Sequence, residues 1–129
     1  MIHVRFVLSM LLFFTVSSGL IAQELELPQD AHISVIGNTT ADRLQHHGWL
    51  ETYIHALHPD SHLTFRNLAM PGDELTVRPR EANFGDANQW LTKNETDVVF
   101  AFFGYNESFQ GMKGLDRFRS DLAATIADM

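Results

Sequence analysis

The chain has 129 residues, 45% of them hydrophobic, a formal net charge of -7 and no cysteine. That is core material for one small domain, and too apolar for a disordered chain. Nine Lys and Arg are scattered among 16 Asp and Glu; this argues against a nucleic-acid or anionic-membrane surface, and the missing thiols exclude disulfides, thiolate metal sites and a cysteine nucleophile within the chain.

Residues 1–22 read as a secretory signal peptide. Arg5 supplies a basic start, Phe6 to Val16 an apolar stretch, and small and polar residues follow, with cleavage expected after Ala22 or near Gly19. The apolar stretch is shorter than the ~20 residues of a bilayer span. The expectation is therefore export, to the periplasm or beyond, with no membrane attachment after cleavage. Residues 23–31 read as a linker and residues 32–129 as the domain.

His32 to Ile36 (HISVI) is a short β-rich run and predicts a buried strand ending at Gly37. Ala41 to Leu57 predicts a helix, with Leu44, His47, Leu50, Ile54 and Leu57 on one face, stopped by Pro59. Leu63 to Asn67 predicts a second strand. Residues 69–85, with Pro71, Gly72, Pro79 and Gly85, predict a long loop. Asp86 to Lys93 predicts a short helix with Asp86 near its cap. Asp97 to Phe103 (DVVFAFF) is a continuous apolar run and predicts a strand covered on both faces. Gly104 to Gly114 reads as loop. Leu115, Phe118, Leu122 and Ile126 then mark an amphipathic helix.

This alternation predicts an α/β domain built on a parallel sheet with helices on both faces. Ligands of such sheets sit beyond the carboxyl ends of the strands. Three loops leave those ends: GNTTAD from Gly37, NLAMPGDE from Asn67 and FGYNES from Phe103. All are rich in Gly, Asn and hydroxyls. The first has two readings. Thr39 caps the helix, with Asp42 three residues on, as in a capping box; or Thr39 is a nucleophile.

Taken in order, the three loops resemble the SGNH, or GDSL-type, hydrolase family. Gly37, Asn38 and Thr39 match its Gly-Asp-Ser nucleophile motif, with threonine in place of serine and asparagine in place of aspartate. Asn67, Leu68, Ala69 and Gly72 match its second motif, whose last glycine offers a backbone N–H to the oxyanion. Gly104, Asn106 and Glu107 match the third, G-x-N-[DE], in which the asparagine side chain donates to the same oxygen. The resemblance implies a three-layer α/β/α, flavodoxin-like sheet, here C-terminally incomplete. Thr39 stands at the nucleophile position, Gly72 and Asn106 form the oxyanion hole, and Gly37, Asn38, Gly104 and Glu107 support them.

The family's fourth motif, D-x-x-H, supplies the acid and the base and does not occur in the sequence. All seven histidines lie at or before His62, ahead of the third loop, so none matches the family's base. The resemblance implies an exported ester hydrolase acting on a small acyl ester or an acetylated carbohydrate, inactive as this short chain. The alternative is a non-catalytic acyl- or carbohydrate-binding module with a degenerate pocket. A nucleotide-binding flavodoxin-like domain is weaker, because no Gly-rich phosphate loop or Walker lysine is present. No cofactor is expected. Asp73, Glu74 and Glu107 lack the spacing of a metal site.

Overall fold

The computed structural model describes residues 25–129, and the signal peptide expected over residues 1–22 lies outside them. Three strands, β1 (His32–Gly37), β2 (Thr64–Asn67) and β3 (Val98–Phe102), form one all-parallel sheet in the order β2-β1-β3. His32 pairs with Thr64 and Val35 with Asn67 on one side of β1; Ile33 pairs with Val98 and Gly37 with Phe102 on the other. Among the described residues, the outer edges of β2 and β3 have no strand partner.

Side chains alternate across the sheet as strand geometry requires. Ile33 joins Ala31 and Leu63 in one buried cluster, capped by Ile54, Phe65 and Phe100. Val35 joins Ala41 and Ala69 in a second, with Phe100 and Phe102 against it. Ile36 points the other way and shares a small cavity with Trp90 and Phe103. The start of the domain is drawn into this core: Leu27 packs on the first cluster, and Asp30 N–H donates to Ser61 O at 2.8 Å.

The helices depart from expectation in three places. The predicted helix over Ala41 to Leu57 is two, α1 (Thr39–Leu44) and α2 (Trp49–Leu57). The first ends at its cap Gln45; Gly48, the N-cap of the second, takes φ of 62°, a left-handed conformation that turns the chain between them. The break turns the chain, so His47 and Leu57 leave the expected apolar face; Leu57 is 76% exposed, while Ile54 still packs on the core. The long loop contains one helical turn, α3 (Glu81–Phe84). The Gly104 to Gly114 loop is largely a 3₁₀ helix, Glu107–Gly114, broken by Gly111 at φ 60°.

Two other helices form where expected, though Ile126, expected on the apolar face of the last, is 65% exposed. Helix α4 (Ala87–Lys93) starts at a full capping box, in which Asp86 Oδ1 accepts from Gln89 N at 2.8 Å and Gln89 Oε1 accepts from Asp86 N at 3.0 Å. Helix α5 (Leu115–Asp128) follows the 3₁₀ segment. The β3 strand forms, but it is not covered on both faces: its residues are half-buried and Ala101 is exposed. Among the described residues it pairs with β1 alone.

Candidate functional site

The first loop is organised by Gly37 and Asn38. Gly37 has φ of 129°, and a Cβ there would lie 2.7 Å from the Phe102 carbonyl carbon. The close approach lets Asn38 N–H donate to Phe102 O at 3.1 Å, tying the loop to the end of β3. Asn38 is buried and extended (φ -84°, ψ -164°), and its Oδ1 accepts from Thr40 N–H at 3.0 Å. The cap of α1 is thus Asn38 and not Thr39. Its side chain reaches the second amide of the helix, the geometry asparagine favours. Thr39 becomes the first helical residue, exposed, with its hydroxyl free of capping duty.

The second loop keeps running beside β1 after β2 ends. Leu68 N–H donates to Val35 O at 2.8 Å and Met70 N–H to Gly37 O at 3.1 Å. Asn67 pins both ends of this stretch. Its Oδ1 accepts from Ala69 N–H at 3.0 Å, and its Nδ2 donates to Ala41 O in α1 at 2.7 Å. Asp73 N–H closes a turn on Met70 O at 3.1 Å, with Pro71 and Gly72 in the middle and Gly72 at φ 88°. That is a type II turn, whose third position favours glycine. Gly72 is exposed, with open space where a Cβ would be.

The third loop is held by Glu107. Its Oε2 accepts from Gly104 N–H at 2.9 Å and its Oε1 from Leu75 N–H at 3.0 Å, so one carboxylate joins the second and third loops. Gly104 takes φ of 106° to allow this. Asn106 is half-buried, starts the 3₁₀ helix and accepts from Phe109 N–H through its carbonyl. Its side chain makes no capping bond.

The three loops are therefore bound to one another at the same end of the sheet. The residues expected to act there are brought to that end but are not joined: no hydrogen bond links Thr39, Gly72 and Asn106 among the described residues. No histidine among the described residues is bonded to Thr39 either. His32 holds Asn94 O at 3.1 Å at the opposite end of β1, roughly 17 Å away at ~3.3 Å per strand residue. His62 faces Asp30, and His55 packs edge-on against Phe65.

A carboxylate beside Gly72 has a role that sequence alone did not indicate. Asp73 is 8% exposed, and its Oδ1 has no hydrogen-bond partner among the described residues. Burial raises its pKa above the ordinary 3.8, with Arg78 and Arg80 pulling it down and Glu81 pushing it up. A carboxyl with a raised native pKa holds its proton more readily folded than unfolded. Its contribution to stability is full below the unfolded pKa and is lost as pH rises through the folded one. Asp73→Asn removes that loss. The variant is expected to melt higher than the native protein at pH 7, and the gain should vanish below about pH 3.8; thermal melts across this range check it, and an equal or lower melting temperature at pH 7 contradicts it.

Compared with models of known protein families, with curated proteins and with solved structures, the chain matches none.

Proposed function

We propose that residues 32–129 belong to a three-layer hydrolase domain of the SGNH type, exported, that cleaves acyl esters of small alcohols or carbohydrates. The observation that carries this reading is the mutual bonding of three strand-end loops: Asn38 to Phe102, Asn67 to Ala41, and Glu107 to both Gly104 and Leu75. The order of these loops along the chain is that of the resemblance.

In this reading the Thr39 oxygen attacks the ester carbonyl carbon. The oxygen that gains charge takes hydrogen bonds from Thr39 N–H, Gly72 N–H and the Asn106 side chain. Collapse breaks the bond to the alcohol, which leaves with a proton, and water then releases the acid from the acyl-threonine. A neutral threonine hydroxyl needs a base for the first step. The family takes it from a D-x-x-H motif, and no histidine among the described residues is bonded to Thr39. That last observation favours a second reading, in which the donors hold an acyl group without turnover.

The test is hydrolysis of 4-nitrophenyl acetate by protein purified from its native host. Because Asn38 caps α1, Thr39→Ala should change stability by no more than about 0.5 kcal/mol, yet abolish turnover and the acetyl adduct seen by mass spectrometry. Thr39→Ser should keep or raise the rate, since it removes a methyl that restricts the side chain. Unchanged turnover in Thr39→Ala would refute the nucleophile. Binding of the acyl group without turnover, lost in Asn106→Ala, would establish the second reading.

A further inference from the structure

An apolar groove of about 440 Å³ lies between the 3₁₀ helix (Glu107–Gly114) and the first turn of α5. Its volume falls within the ~300–1,000 Å³ of sites for small organic ligands. Gly104, Gly111, Met112, Leu115 and Phe118 form most of the wall. Two of these glycines shape it. The edge of the Phe118 ring lies 3.5 Å from where a Gly104 Cβ would be, so loop and helix meet there. Gly111, at φ 60°, breaks the 3₁₀ helix and has open space where a Cβ would be. Leu115 and Phe118, three residues apart, share one face of α5. Both are half-buried, and neither packs against the two buried clusters of the sheet.

The chemistry of the wall chooses among ligands. Its two polar side chains are already engaged. Glu107 accepts from Gly104 N–H and Leu75 N–H, and Ser108 Oγ donates to Tyr105 O at 2.6 Å. No side-chain donor is left to orient a sugar or an anion, and the Glu107 charge opposes an anion. What the wall offers is apolar surface that gains by leaving water. Met112, 82% exposed at its rim, has a flexible side chain that adapts to a changing shape. Two turns of a partner's helix, about 10 Å across and about 11 Å long, occupy roughly twice the groove's volume. A single chain of methylenes has the right scale.

We infer that this groove binds the unbranched hydrocarbon chain of an uncharged amphiphile. Gly104 and Glu107, which flank Tyr105 and Asn106, set one end of it beside the third loop. Binding rests on the groove alone and requires no bond to be cleaved, so it stands or falls apart from the hydrolysis proposed above.

The experiment is an amide NMR titration of the isotope-labelled full chain with butan-1-ol, hexan-1-ol and octan-1-ol, with no ester present. The shifts should saturate and centre on residues 104–118. Each added methylene should tighten binding by about threefold to fourfold, as expected for apolar surface leaving water. Met112→Lys should weaken octan-1-ol binding by about fivefold or more, because it sets a charge at the rim. Met112→Leu should bind as the native protein does. Met112 is exposed, so both variants should melt with the native protein. The absence of saturable shifts overturns the proposal, as do shifts centred elsewhere, affinity independent of chain length, or equal binding by Met112→Lys. Tighter binding of hexanoate or hexylammonium than of hexan-1-ol also overturns it. So do shifts at residues 104–118 that follow protein concentration alone, which would mean that a second copy fills the groove.

Discussion

Gly37→Ala is expected to prevent folding, or to lower stability by more than ~4 kcal/mol, in the exceptional range for one substitution. The added methyl would overlap the Phe102 carbonyl oxygen and sit 2.7 and 2.9 Å from its carbon and nitrogen. Those are backbone atoms of β3, so no side-chain rotation relieves the clash. The φ of 129° adds strain, because a residue with a Cβ rarely adopts it. The only escape is to move β3 away from β1, which breaks the Asn38 to Phe102 bond and opens the cluster of Val35, Ala41 and Ala69. Small domains have about 5–15 kcal/mol in total. Urea unfolding followed by far-UV circular dichroism measures the loss. A cooperative transition within 1 kcal/mol of the native protein's would contradict the close approach.

Asn106→Ala should lower ester turnover by about 10²–10³-fold while leaving the fold intact. The side chain has no capping bond to lose, and the loop around it is held by Glu107 through Gly104 and Leu75. Stability should therefore change little. If the amide donates to the oxygen that gains charge, the loss falls on kcat and kcat/KM alike, because the bond strengthens only in the transition state. A rise in KM with kcat unchanged would instead make Asn106 a ground-state contact. The measurement is steady-state hydrolysis of 4-nitrophenyl acetate by the native protein and the variant, with thermal melts of both.

Local chemistry was legible in the sequence, and tertiary chemistry was not. Asp86 announced the start of α4, and Gln89 completes the cap within the same four residues, so all of its chemistry is local. Thr39 and Asn38 are both good caps. The choice between them is made at Phe102, whose carbonyl holds Asn38 N–H and fixes where the helix begins. Gly48 in a helical pattern gave no warning that it would turn left-handed. The apolar run of β3 did predict a strand, but Ala101 is exposed because coverage depends on neighbours that periodicity does not count. At the candidate site, the convergence of three loops followed from the parallel sheet alone. Glu107 was legible as part of a motif but not as the tie to Leu75, and Asp73 was read only as a carboxylate in a turn.

The position of β1 between its two partners also sets the order in which the sheet can assemble. Ile33 pairs with Phe65 across a moderate stretch of chain and with Val98 across about twice as much. Each doubling of a closed loop adds only about 0.6 kcal/mol of entropy, so the equilibrium hardly notices. The rate does, since pairings far apart in sequence form slowly. During synthesis β1 and β2 can meet while β3 is still unmade. Phe100 and Phe102, which both clusters or the second of them require, arrive last. Until then the inner strand of the finished sheet is itself an edge, with its backbone donors and acceptors open to other chains.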